Sequence, residues 1–176
     1  MQYRRSHVAG GTYFFTLNLA DRSSDLLVRH MDDFRAVLGH VKRAHPFVLV
    51  AMVALPEHLH AIWRLPPGDA DYPMRWSLIK AGFSRRIGKS EHVGLSRAGK
   101  RERGIWQRRY WEHQIRDESD LARHVDYIHY NPVKHGWVKR PVDWPHSTLH
   151  GYIEREIVTP DWGASPNEEG GGFGER

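Results

Sequence analysis

The sequence contains no cysteine. That absence excludes disulfides and every thiolate-based metal site, so any bound metal must rest on nitrogen and oxygen ligands. It also fits a chain that works in a reducing cytoplasm. No hydrophobic run reaches the length of a membrane span, and no signal peptide opens the chain, so no membrane partner is expected. There is no internal repeat.

What remains is a chain of 176 residues, 40% of them hydrophobic, which suits one domain with a sizeable core and does not suit a disordered polymer. Formal net charge is +5, but the excess is uneven. From Arg75 to Arg116, twelve Lys or Arg stand against three Glu, a local balance of +9, while the rest of the chain sums to −4. A basic segment on a mildly acidic body is an electrostatic footprint for polyanions, nucleic acid first. A solvated basic loop has the same composition, so charge alone does not decide.

Periodicity orders the chain. "TYFFTLNLA" (12–20) alternates as a strand with Tyr13, Phe15, Leu17 and Leu19 on one face. "MDDFRAVLGHVKRA" (31–44) carries apolar residues at helical spacing and stops before Pro46. "FVLVAMVAL" (47–55) is nearly all apolar and reads as a central strand. After the turn at Pro56, "HLHAIWRL" (58–65) returns as its hairpin partner. A second helix spans about 74 to 88, and a non-periodic basic loop runs from 88 to 104. "IWQRRYWEHQI" (105–115) is a short strand or edge segment. Asp117 is a plausible N-cap for a helix over about 118–131, which Pro132 ends. Residues 143–152 read as irregular, and 163–176 as a disordered tail after a single domain over 1–162. Strand–helix–strand–strand–helix order predicts an α+β ferredoxin-like sandwich, an antiparallel sheet with helices packed on it.

Two positions carry chemistry. On the 58–65 strand, Leu59, Ala61, Trp63 and Leu65 face one way, so His58 and His60 face the other together, with Cα atoms about 7 Å apart. Two imidazoles at that spacing can reach one divalent cation, although His-x-His alone is more often a pair of strand histidines. On the late helix, Leu121, Val125 and Ile128 form the apolar stripe by 100° steps. Asp120, His124, Tyr127 and Asn131 cluster beside it, and Tyr130 points away. If a tyrosine works beside that seam, Tyr127 is the better candidate. Separately, a boundary aromatic and a helix-end asparagine would explain Tyr127 and Asn131.

"LPEHLHAIW", "WQRRYWEHQIRDESDLARHVDYIHYNPVKHGWV" and "DWPHSTLHGY" together resemble the REP-associated tyrosine transposases, relatives of the single-tyrosine HUH transposases of bacterial insertion sequences. The resemblance spans about Tyr3 to Trp162. It is carried by order: His58–Leu59–His60, then D-Y-I-x-x-N-P-V-K-H-G-W-V. It implies a metal-dependent endonuclease and strand transferase for single-stranded DNA folded as a short palindromic hairpin. In that family the late-helix tyrosine is the nucleophile, matched here by Tyr127, and forms a 5′-phosphotyrosine. A residue one turn later, matched by Asn131, completes the metal site with His58 and His60. The expected cation is Mg²⁺ or Mn²⁺. For the phenol proton, His124, Asp120, the metal's field and water all stay open.

DNA contacts are expected from Lys80, Arg85, Arg86, Arg108 and Arg109, with Trp106, Tyr110 or Trp111 stacking on unpaired bases. By resemblance, Arg4 and Arg5 read a short guide sequence at the hairpin foot. The expected state is a monomer, with a homodimer as the alternative, acting in the cytoplasm at the nucleoid. Two other functions fit the residues: a non-catalytic nucleic-acid-binding module, and a water-using metal phosphodiesterase with Tyr127 as bystander.

Overall fold

The computed structural model describes residues 7–88 and 103–164. Arg4 and Arg5, most of the basic loop and most of the tail lie outside the described residues. Strand β1 (Thr12–Asn18) leads through a short helix α1 (Leu26–Arg29) into α2 (Met31–Ala44). The hairpin β2 (Val48–Ala54) and β3 (His58–Arg64) follows, then α3 (Tyr72–Arg86), β4 (Trp111–Gln114), α4 (Glu118–Lys134), a single 3-10 turn (Pro141–Asp143) and α5 (Leu149–Glu154). The sheet order is β2-β3-β1-β4 with every neighbour antiparallel, as the ferredoxin-like expectation requires. No helix among the described residues is long and apolar enough to cross a membrane.

The alternation read from sequence decides what lies on each side of the sheet. Tyr13, Phe15, Leu17, Leu59, Ala61 and Trp63 join α2 and α3 in the larger core. There the Trp63 and Trp76 rings stack at 3.9 Å, and Phe47 stacks on Trp63 at 4.1 Å, aromatic contacts within the apolar core. Gly82 lets α3 lie close on α2, because a Cβ there would sit 2.7 Å from a methyl of Val37. Phe14, Ala51, Val53 and Ile62 point the other way, toward Tyr127 and Ile128 of α4 and toward Trp144. The sheet thus separates two layers, and the site forms in the second.

Several expectations give way. β2 lies at the sheet edge, not its centre. Its apolar run is explained by what covers that edge: Ala54 N–H donates to His146 O, Thr148 N–H to Met52 O, and Tyr152 Oη to Val50 O. From Ala51 to Ala54 the covered edge is as buried as a central strand and needs the same residues. The segment 143–152 is correspondingly not irregular throughout, since α5 begins at Leu149. Helix α3 begins at Tyr72, two residues before the expected start, because Asp71 caps it by accepting from Met74 N–H at 3.1 Å.

The largest correction concerns α4. Asp117 caps its start as expected, accepting from Asp120 N–H at 2.8 Å. Its end does not fall at Asn131, for the helix runs through Pro132 to Lys134. A proline forfeits one hydrogen bond and crowds the turn before it, but near a terminus only one further turn has to be kept. That turn is closed firmly. Gly136 N–H donates to Val133 O and Trp137 N–H to Pro132 O, both at 2.9 Å, with Gly136 at φ +72°. This is a Schellman closure with glycine in the left-handed position.

Candidate active site

The hairpin register places the histidine pair. Thr16 of β1 pairs with His60 and Asn18 with His58, so both imidazoles lie on the α4 side of the sheet. Their ring centroids are 5.0 Å apart, and both side chains are buried. Each ring is anchored through Nδ1. His58 Nδ1 donates to Glu57 Oε1 at 2.8 Å, and His60 Nδ1 hydrogen-bonds Thr16 Oγ1 at 2.9 Å. Burial opposes ionisation of Glu57, but the hydrogen bond from His58 outweighs it and holds the carboxyl below its ordinary value.

Because the Glu57 carboxylate only accepts, its bond fixes the His58 tautomer that leaves Nε2 as the lone-pair nitrogen, while Thr16 holds the orientation of the His60 ring. His58 Nε2 is buried, with no hydrogen-bond partner among the described residues. A buried acceptor left in that state is disfavoured unless something else binds it. Two adjacent imidazoles make a donor pair that suits a divalent cation of intermediate hardness. The unpartnered Nε2 of His58, next to the His60 ring, fits a metal.

Helix α4 brings its polar stripe down onto this face. Asp120, His124, Tyr127 and Asn131 are all buried, whereas Leu121 and Val125, expected as the buried stripe, are only partly covered. The reason lies in the opposing surface. Under α4 the sheet presents His58, His60 and Thr16 beside Phe14, and a polar stripe meets them better than an apolar one. The Tyr127 ring lies 5.3 Å from the His60 ring and 6.0 Å from Phe14. Asn131 follows one turn later on the same side and is fully buried. His135, just past the helix, has its ring 5.2 Å from that of His58.

One turn before Tyr127 lies a second polar cluster. Asp120 Oδ2 accepts from Arg116 N–H at 3.0 Å and meets His113 Nε2 at 2.8 Å. His124 Nδ1 donates to Asp120 O at 2.8 Å, and its ring stacks on His113 at 4.8 Å. Burial opposes ionisation of Asp120, but the bonds from His113 and Arg116 outweigh it and hold the carboxyl low. Burial likewise lowers His124, against the pull of Asp120. Ligand atoms of His113, Asp120 and His124 lie within 4.8 Å of one another, so this His/Asp group could also hold a metal. Its carboxylate is already engaged on several sides, as befits a clamp on the start of α4.

The basic residues divide. Lys80, Arg85 and Arg108 line one cleft of about 660 Å³ with Arg103, Trp106 and Tyr110. Arg86 lies outside it, 3.4 Å from Asp33, and Arg109 is not among the lining residues. Some of the cationic excess is structural. Buried Arg75 pairs with Asp69 and donates to the carbonyls of His45 and Pro46, while Arg103 donates to Ser84 O, Ile87 O and Gly88 O at the end of α3. Trp106 belongs to the larger core, packed on Phe83, so it is not an open stacking platform. The cleft opens beside α3, in the layer opposite the histidines. Edge strand β4 lies between the two, with Trp111 on the α4 side.

Sequence reasoning missed Glu57, Thr16, His113 and Lys134. Glu57 carries a visible signal, a carboxylate next to the first histidine of the pair. Thr16 and His113 carry none, because only strand register brings them to the site. Lys134 was hidden by the expected helix end. Its Nζ donates to Tyr127 Oη at 3.2 Å and sits 4.7 Å from the ring centroid.

No protein-family model matches the chain. Individual proteins do. It is 46% identical over 161 residues to the REP-associated tyrosine transposase of Escherichia coli K12, covering 92% of this chain and 90% of that protein. A Haemophilus influenzae protein carrying the same family name is 44% identical over 166 residues, 94% of each chain. In three dimensions the fold matches a REP-associated tyrosine transposase solved with a REP hairpin, at a TM-score of 0.84 and 43% identity, covering 100% of this chain and 98% of that one.

Proposed function

The chain belongs to the REP-associated tyrosine transposases, and we propose on that premise that it nicks and rejoins single-stranded DNA beside short palindromic hairpins through a 5′-phosphotyrosine. The reading is supported first by one contact: the Tyr127 and His60 rings lie 5.3 Å apart on one face of the sheet. A phenol and a histidine pair from distant parts of the chain meet where a phosphodiester would have to sit. The likeness to a relative bound to a REP hairpin supports hairpin DNA as the partner.

In this reading Tyr127 Oη attacks phosphorus in line and the 3′-oxygen leaves. The ester conserves the bond energy, so a 3′-hydroxyl can later reverse the step without ATP. His58, His60 and Asn131 would hold Mg²⁺ or Mn²⁺, which when bound withdraws charge from the phosphate oxygens. Glu57 holds His58 in its working tautomer, and Thr16 holds the orientation of the His60 ring. Asp120 and His124 act with His113 by fixing the first turn of α4, and so the direction of Tyr127.

Lys80, Arg85 and Arg108 grip the DNA backbone in the α3 cleft, and the strand reaches Tyr127 by passing around β4. Arg86 and Arg109 add charge outside that cleft, and Arg4 and Arg5 keep their proposed role in reading the hairpin foot. Because Tyr127 and both histidines come from one chain and already adjoin, a monomer suffices. Its place of work is chromosomal DNA, and therefore the cytoplasm at the nucleoid.

The test uses a labelled hairpin with a single-stranded flank. Wild-type protein should give a covalent adduct on a denaturing gel. Tyr127→Phe should bind the hairpin equally and give none, and His58→Ala, His60→Ala or chelation should abolish cleavage. Cleavage by Tyr127→Phe would move the chemistry to water and defeat the nucleophile assignment.

A further inference from the structure

We propose that Lys134 is a catalytic residue, the cation that carries the charge of the Tyr127 oxygen both when it attacks and when it leaves. The inference rests on the phosphotyrosine reading above and adds to it the group that acts on the nucleophile itself. Residues seven apart on a helix return to the same face, and a lysine side chain leans back toward the helix start. Lys134 therefore arches over the last turn onto Tyr127. Its Nζ donates to Tyr127 Oη at 3.2 Å. That geometry depends on α4 continuing through Pro132 and on the closure at Gly136. A helix ended at Asn131 would leave Lys134 on a loop.

The chemistry follows from charge. In cleavage the phenol proton passes to solvent, the O–P bond forms, the P–O3′ bond breaks, and the 3′-oxygen takes a proton from water. In rejoining, a 3′-hydroxyl gives its proton to solvent, attacks phosphorus, and expels Tyr127 as phenolate. Lys134 keeps its protons throughout. Partial negative charge stands on the same phenol oxygen in both transition states, so one fixed ammonium lowers both barriers. A charge-assisted hydrogen bond is among the stronger ones available.

Lys134 is exposed in the free protein, so it could instead hold a DNA phosphate, and the experiment separates the two. Because the chain holds no cysteine, Lys134→Cys introduces one unique thiol. Alkylation with 2-bromoethylamine rebuilds an ammonium at nearly the lysine length, and iodoacetamide adds similar bulk without charge.

With saturating hairpin, Lys134→Cys should form the covalent adduct about 100-fold more slowly, the size of effect seen when one donor to a developing oxyanion is removed. Rejoining from isolated adduct should slow by a similar factor, and hairpin Kd should stay within about threefold. Aminoethylation should restore both rates, and the neutral adduct should restore neither. Equal rescue by the neutral adduct would reduce Lys134 to a packing role. A loss confined to Kd would make it a phosphate contact. An unchanged rate in the variant would overturn the proposal alone, whereas no adduct from wild-type protein would overturn the phosphotyrosine reading with it.

Discussion

Removing the Glu57 carboxylate should weaken the metal site without touching a ligand. Glu57 Oε1 takes the Nδ1 proton of His58 at 2.8 Å. While that bond holds, His58 presents its lone pair at Nε2 and the ring cannot swing. In Glu57→Ala the buried ring loses its anchor, can adopt either tautomer, and becomes a poorer donor. Loss of such an orienting partner typically weakens metal affinity 10- to 100-fold, or about 1.4 to 2.7 kcal/mol. Glu57→Gln keeps an acceptor but not the charge, so it should fall near the lower bound. The assay is calorimetric titration of each purified variant with Mn²⁺, alongside hairpin affinity in chelator. Metal affinity should drop while chelated hairpin binding stays level. Glu57 also lies 3.6 Å from Arg22, and Arg22→Ala serves as the control, since that pair is partly exposed and should matter little. If Glu57→Ala binds Mn²⁺ as wild type does, the anchoring of His58 is irrelevant to the metal and the reasoning fails.

Stability should fall on acidification above the carboxylate range. Burial, with the charge of His150 nearby, pushes His129 down to about 4, whereas an unfolded histidine titrates near 6.5. Between those values the unfolded chain binds the proton and the native one does not, so stability declines as pH drops from about 6.5 to 4, by about 3 kcal/mol from this group. Urea unfolding across that window should show a shallower decline in His129→Gln, and an identical decline would refute the assignment. His124, also lowered by burial, acts in the same direction. Gly136→Ala forces a side chain into φ +72° and should lower stability by about 1 to 2 kcal/mol. Nothing lies within 4 Å of the new methyl, so adduct formation should suffer only as far as the end of α4 frays, which amide exchange at Lys134 to Trp137 would report.

Local periodicity carried much of the fold. Alternation along 12–20 and 58–65 placed the histidines on the far side from Trp63, because side chains of a strand have no other choice once one face is buried. Helical phase brought Tyr127 and Asn131 to one face with Asp120 and His124, and the structure keeps them together. Two of the misses depended on neighbours far away in sequence, and one on a local closure. β2 looked central because residues 146–148, nearly a hundred positions later, cover its edge. Pro132 looked like a terminator because sequence shows the missing N–H but not the closure that outweighs it. Thr16 reaches His60 only through strand register, and no reading of either segment alone contains that pairing.

The orientation of α4 shows why the site was partly hidden. A helix laid on a sheet ordinarily buries its apolar stripe, which here would be Leu121, Val125 and Ile128. Rotated that way, α4 would carry Tyr127 and Asn131 toward the rim and leave His58 and His60 under hydrocarbon, where a buried unsatisfied nitrogen costs about 1 to 3 kcal/mol. The observed rotation buries Asp120, His124, Tyr127 and Asn131, keeps Ile128 buried, and leaves Leu121 and Val125 half covered. Apolar burial is lost on two side chains, and polar groups gain polar company. For α4, function and packing ask for different rotations, and the buried polar stripe records which one prevailed.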